Sequence, residues 1–174
     1  MTTEAPRRSV LAGGLGAIGS ALARSARGGA LSSPAEKTIL TVTGAITNTN
    51  GGDAATFDRP MLEGLGLDGF RTMTPWYDRP VRFDGVRMRR LMQAVGAFGT
   101  EVVAFALNDY VIEIPMSDFE CHGALLAMKR EGVDMPVRDK GPLFIVYPYD
   151  SKPELRSQQF YSRSAWQVAR LVVT

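Results

Sequence analysis

Thr100 to Leu107 is an apolar run typical of a buried strand, and a second run, Tyr110 to Ile114, begins only two residues after it. A chain that re-enters an extended run so soon must reverse direction in between. The two intervening residues, Asn108-Asp109, are turn chemistry: their short polar side chains hydrogen-bond nearby backbone and tolerate the left-handed conformation. The pair predicts a tight β-hairpin, and a hairpin of this kind commits part of the fold to antiparallel sheet.

The remaining apolar runs are also short. Thr38 to Ile46 alternates β-branched and small residues and reads as a first strand, closed by the turn-forming Asn48-Thr49-Asn50-Gly51-Gly52-Asp53. Phe57 to Leu65 fits one or two helical turns. Phe70 to Thr74 and Val81 to Phe83 read as short strands separated by Pro75 and Pro80, because proline lacks the donor that a central ladder requires. Val86, Leu91, Met92 and Val95 fall near helical spacing with Arg87, Arg89 and Arg90 on the other face, which predicts a helix over Met88 to Val95 ending around Gly96. Ala124 to Met128, Leu143 to Tyr147 and Trp166 to Val173 complete the strands. Many short strands with one good helix and proline-rich connections predict an α+β domain with mixed or antiparallel sheets and few helices.

With 174 residues the chain holds one such core, over residues 36–174, behind a leader at residues 1–35. Arg7-Arg8-Ser9-Val10-Leu11 opens an apolar, glycine-rich stretch to Ala23, followed by small residues and Pro34-Ala35: the charged, hydrophobic and processing regions of an export signal. Twin arginines before the apolar run imply export in a folded state, hence a periplasmic protein. The stretch is too short and too rich in glycine for a membrane span, which needs about 20 mostly apolar residues. It also contains Gly14-Leu15-Gly16-Ala17-Ile18-Gly19, the dinucleotide-binding spacing, but without the strand before it that the motif needs.

Composition removes some alternatives. Residues 1–35 carry four arginines against Glu4, leaving 16 basic and 17 acidic side chains in the remainder. Nucleic-acid binding needs clustered cations to displace counterions, and these dispersed charges supply no such cluster. Cys121 is the single cysteine, so no intramolecular disulfide forms and cysteine usage says nothing of compartment. Cys121-His122 falls short of a zinc site, which takes three or four protein ligands, because the chain has one cysteine and one histidine in all.

Polar groups in loops between buried strands are the strongest functional candidates. Three loops qualify: Thr72 to Trp76, with Thr72, Thr74 and the Trp76 indole; Asn108 to Tyr110, with an amide, the Asp109 carboxylate and a phenol; and Arg138 to Gly141, with Arg138 and Lys140 flanking Asp139. Each has a plain structural alternative. Asn108-Asp109 closes a hairpin, Trp76 and Trp166 are core candidates, Asp139 has Arg138 and Lys140 beside it to pair with, and Thr72 is a strand residue.

Taken in order, Phe70-Arg71-Thr72-Met73-Thr74-Pro75-Trp76, Phe83-Asp84-Gly85, the helix from Met88, Ala106-Leu107-Asn108-Asp109-Tyr110, Ile114-Pro115 and Arg138-Asp139-Lys140-Gly141-Pro142-Leu143 before Ile145-Val146-Tyr147-Pro148 form a pattern. Over residues 38–174 this pattern resembles the molybdopterin-binding domain of the sulfite oxidase superfamily. In metal-bearing members a cysteine four residues before the tryptophan ligates molybdenum, and Thr72 stands there in this chain. A protonated hydroxyl is a poor replacement for a soft thiolate, so the resemblance implies a pterin site without molybdenum.

The resemblance implies a ligand and a role. A pterin presents an amino group and a ring N–H side by side, which a carboxylate such as Asp109 or Asp139 accepts together, while Trp76 or Tyr110 stacks on the ring and Arg138 and Lys140 suit a phosphate arm. Small members without the cysteine are linked to periplasmic sensing of reduced pterins and to a membrane-bound cyclic-dinucleotide signalling partner. The expectation is therefore an exported, non-catalytic pterin-binding protein. The alternatives are a molybdopterin-dependent oxidoreductase and an accessory subunit whose cleft is filled.

Overall fold

The computed structural model describes residues 1–2 and 31–174. The twin arginines, the glycine spacing at 14–19 and nearly all of the expected leader lie outside the described residues. In chain order the strands are β1 (Leu40–Gly44), β2 (Ala55–Phe57), β3 (Asp68–Thr74), β4 (Tyr77–Arg87), β5 (Glu101–Ala106), β6 (Val111–Pro115), β7 (Leu125–Arg130), β8 (Val133–Asp134), β9 (Phe144–Val146) and β10 (Val168–Val173). The helices, all short, are α1 (Arg59–Gly64), α2 (Met88–Ala94), α3 (Met116–Cys121) and α4 (Gln158–Ser162).

The strands form two sheets, and the molecule is α+β as expected. The first has the order β2-β1-β10-β5-β6, with β1 and β10 parallel and its other neighbours antiparallel. The second has the order β3-β4-β7-β8, with β9 also on β7, and is antiparallel throughout. The predicted hairpin is β5–β6, paired from Glu101↔Pro115 to Phe105↔Val111 and closed by Asp109 at φ 64°.

Register decides which side chains enter the core. In the first sheet Leu40, Val42, Val102, Ala104, Ile114, Leu171 and Val173 share the buried face. The alternate set, Thr41, Thr43, Val103, Phe105, Val111, Glu113, Arg170 and Val172, is half-buried or exposed. Each aliphatic side chain moved fully from water to core contributes about 1.5–3 kcal/mol, so a one-residue slip of this sheet would forfeit most of its stabilisation. The second sheet and both proline-flanked segments enclose the other side of the same core, with Phe83, Phe144, Tyr147 and Tyr149 fully buried.

One expectation is corrected. Instead of a short strand at Val81 to Phe83 set apart by Pro80, β4 runs eleven residues straight through that proline. Its pairing with β7 starts only at Phe83↔Arg130, and its register with β3 shifts between Thr72 and Thr74, so no ladder position calls on the missing Pro80 N–H. The Pro80 carbonyl instead accepts a hydrogen bond from Arg71 at 3.0 Å. Further along β4, Gly85 lets β7 approach closely, because a Cβ there would collide with the Leu126 carbonyl oxygen.

Asp58 caps α1 by accepting from the Met61 N–H at 2.9 Å, and the same carboxylate accepts from Ala35 N–H at 2.7 Å and Glu36 N–H at 2.9 Å. One side chain thus ties the segment before β1 to the start of a helix. The Met61 bond is the main reason that its pKa lies below the usual carboxylate value; the Met73 N–H does the same for Asp150, and the Arg130 guanidinium for Asp139. A folded pKa below the unfolded one contributes stability that is present above the unfolded value and lost as pH falls through the folded one. Thermal melts should accordingly hold level near neutrality and drop steadily below pH ~4. An unchanged midpoint at pH ~3 would show these carboxylates to be energetically idle.

Candidate functional site

The tips of two hairpins and the segment leading into β10 meet around a cleft of about 330 Å³. The β3–β4 tip supplies Pro75 and Trp76, the β5–β6 tip supplies Asn108 and Tyr110, and the third wall is Gln158, Tyr161, Ser162, Ser164 and Trp166. Thr74, itself buried, fixes the first tip by accepting from the Trp76 N–H at 3.3 Å. Across the cleft, Tyr110 donates its hydroxyl to the Ser162 carbonyl at 2.7 Å, which joins the second tip to the end of α4.

Aromatic rings make the floor. Trp76 lies 5.6 Å from Trp166 at 83°, 5.5 Å from Phe144 at 70° and 6.3 Å from Tyr161 at 73°. These are edge-to-face arrangements, so a flat ligand stacked on one indole meets the edge of the other. Lys140 holds its ammonium 4.4 Å from the Trp166 centroid and 6.0 Å from that of Trp76, a cation–π clamp on both rings. Lys140 itself is in the left-handed conformation, at φ 65°.

A buried polar network stiffens the third wall. Ser164 donates to the Phe160 carbonyl at 2.8 Å, so its lone pair is left to accept the Tyr149 hydroxyl. Next to it Asp118 accepts from the Tyr147 hydroxyl at 2.9 Å and from Arg163 at 3.0 and 3.2 Å. Burial pushes both tyrosine hydroxyls far above their ordinary pKa, with the Asp118 charge adding to the effect on Tyr147, and both stay neutral donors. Arg163 sits in sequence between Ser162 and Ser164, and anchoring its guanidinium on Asp118 fixes the backbone that carries them.

Of the sequence-derived candidates, Trp76, Asn108 and Tyr110 come together in the cleft, and Lys140 packs against its floor. The others stand apart from it. Thr72 is buried, its hydroxyl donating to the Met73 carbonyl at 3.2 Å and accepting from the Asp150 N–H at 3.1 Å. Asp139 pairs neither with Arg138 nor with Lys140 but forks onto Arg130 at 2.6 and 2.9 Å, so its oxygens are already engaged. Arg138 is exposed on the turn before it, and Asp109 is an exposed turn residue beside the cleft. Trp166, a core candidate by its position in the chain, is half-buried and forms part of the floor. Tyr161, Ser162, Ser164 and Gln158 were not singled out. The available signal was a polar-aromatic stretch, Ser157 to Ser164, with no strand or helix periodicity between two apolar runs.

The donors present do not fit a molybdenum ion held through a protein thiolate. Thr72 turns its hydroxyl to the backbone rather than the cleft, and Cys121 is exposed at the end of α3, away from the cleft lining. Among the described residues no three of His, Cys, Asp or Glu gather into a metal-binding group. The cleft offers four aromatic rings, amides at Asn108 and Gln158, hydroxyls at Tyr161 and Ser162, and no charged side chain among the nine that line it. Compared with known protein families and with curated proteins, the chain finds no match in either.

Proposed function

We propose that this chain is an exported, non-catalytic pterin-binding domain of the sulfite-oxidase-like type, and that the cleft between the two hairpin tips is its ligand site. The observation that carries the reading is the pair of perpendicular indoles, Trp76 and Trp166, at the floor of a cleft with an uncharged polar rim. About 330 Å³ lies at the small end of ligand sites and suits a bicyclic ring rather than a cofactor with a long phosphate arm. With Asp139 engaged by Arg130 and no carboxylate in the lining, the Asn108 or Gln158 amide meets a different edge of the pterin, accepting from the ring N–H and donating to the carbonyl next to it.

The sequence resemblance supplies the rest of the proposal: a periplasmic location, and a membrane-bound cyclic-dinucleotide signalling protein as the partner that reads occupancy. Only a ligand that interacts differently with two states can shift such a partner. The exposed β5–β6 tip, held across the cleft by the Tyr110 hydroxyl, is the element that a bound ring would displace or lock.

The test is to purify the protein without oxygen, measure molybdenum by elemental analysis, oxidise an extract and record pterin fluorescence. Pterin fluorescence without stoichiometric molybdenum is the expected result. Stoichiometric molybdenum would convert the reading to an oxidoreductase. A purified protein with no pterin, whose tryptophan emission is also unmoved by added biopterin, would remove the pterin reading.

A further inference from the structure

The side chains on the outward face of the first sheet are half-buried or exposed, and the face is bordered by Val137 and Pro142 at one end and by Gln159, Ser162 and Arg163 at its β6 edge. Register places Thr41, Arg170, Phe105 and Val111 in one row across the strands, and Thr43, Val172, Val103 and Glu113 in the next. Glu101 continues the same alternation on β5, beyond Val103. At the opposite end of the face Lys37, Ile39, Thr41, Leu107 and Val137 line a groove of about 210 Å³. Lys37 therefore stands at one end and Glu101 at the other, with Arg170 and Glu113 in adjacent rows between them and apolar side chains around both. Leu107, Val111 and Val137 are 55%, 49% and 50% exposed, unusual for aliphatic residues brought together on one face.

The charges on this face have no partners of their own. Among the described residues neither Arg170 nor Glu113 forms an ion pair. Arg170 lies flat over Phe105, its guanidinium carbon 3.7 Å from the ring centroid, so its charge is held near the middle of the face. Arg170 on β10 and Glu113 on β6 flank β5, one row apart.

We infer that this face is the contact between two copies of the chain. A two-fold axis lying between two such faces and crossing β5 midway between Arg170 and Glu113 sets Arg170 of each copy opposite Glu113 of the other. The same operation lays Phe105 and Val103 of the two copies together, so that unlike charges and apolar strips are matched at once. A partner of different sequence would have to carry this pattern by coincidence, whereas a second copy carries it by symmetry. Five strands spaced by about 4.8 Å and some five residues long frame roughly 400 Å² per copy, which is small for a permanent dimer and places this one among weak, reversible contacts.

Sedimentation equilibrium of the full chain from about 1 to about 300 µM tests the inference. A monomer–dimer equilibrium is expected, weakened at least about tenfold by Arg170→Glu and similarly by Glu113→Arg, each of which opposes like charges. The double exchange, Arg170→Glu with Glu113→Arg, restores the pairing and should return the affinity to within about threefold of the parent. Far-ultraviolet circular dichroism of each variant monitors folding, and the double exchange remains decisive if a single one unfolds. A monomer at every concentration overturns the proposal. So does a dimer indifferent to both single exchanges, or a double exchange no tighter than the singles.

Discussion

Replacing Asp118 by alanine should lower the unfolding free energy by about 3–5 kcal/mol, the largest effect expected of any single substitution outside the apolar core. Asp118 is buried, and it is the acceptor for the Tyr147 hydroxyl and for Arg163 together. Removing it leaves a phenol with no exposure unpaired and takes the carboxylate from a guanidinium whose side chain is only 18% exposed, leaving that group the Gln159 amide oxygen as its acceptor. The penalty is that of orphaned polar groups, not the loss of one favourable pair. Asp118→Asn should cost much less, since the amide oxygen still accepts from Tyr147. Chemical denaturation of the two variants separates them, and equal destabilisation by both would show that charge rather than satisfied acceptance holds the network. The ligand site should loosen in step, because Arg163 lies between two residues of its wall.

Trp76→Ala should weaken pterin binding by about thirtyfold, roughly 2 kcal/mol, combining lost apolar burial with about 0.5–1.5 kcal/mol of ring–ring attraction. The ring touches Phe144, Trp166 and Tyr161 edge to face, so the substitution empties the floor and frees Trp166 to tilt. Trp76→Phe keeps a stacking surface and should retain most of the affinity. Titration followed by the emission of the remaining tryptophan measures both. If Trp76→Ala binds biopterin as the parent does, the cleft is not the pterin site, whatever the protein carries when purified.

The hairpin at Asn108-Asp109 and the alternating runs were legible in the sequence because local turn chemistry and period-two patterning decide them. The passage of β4 through Pro80 was not, since it depends on where β7 ends and where β3 shifts register, both of which are tertiary facts. α3 and α4, of six and five residues, were missed, although α1, as short as α3, was anticipated. The site was half legible. Trp76, Asn108 and Tyr110 were readable as loop residues rich in hydrogen-bonding and stacking groups. Asp139 looked equally suitable, and only the placement of Arg130, nine residues earlier in the chain, reveals that its carboxylate is engaged. Trp166 was read from its neighbours in the chain as a strand residue, yet its surroundings in space come from the β3–β4 tip, about ninety residues away.

Sheet order carries a consequence for how this protein is made. β10, which follows the other nine described strands in the chain, is inserted between β1 and β5 and bonds to both. Until Val168–Val173 emerge from the ribosome the five-stranded layer exists only as two separate two-stranded pieces with open edges. Assembly of that half of the molecule thus waits for β10 instead of growing strand by strand from β1, and loss of that strand would leave two unjoined hairpins that are prone to stick to other chains.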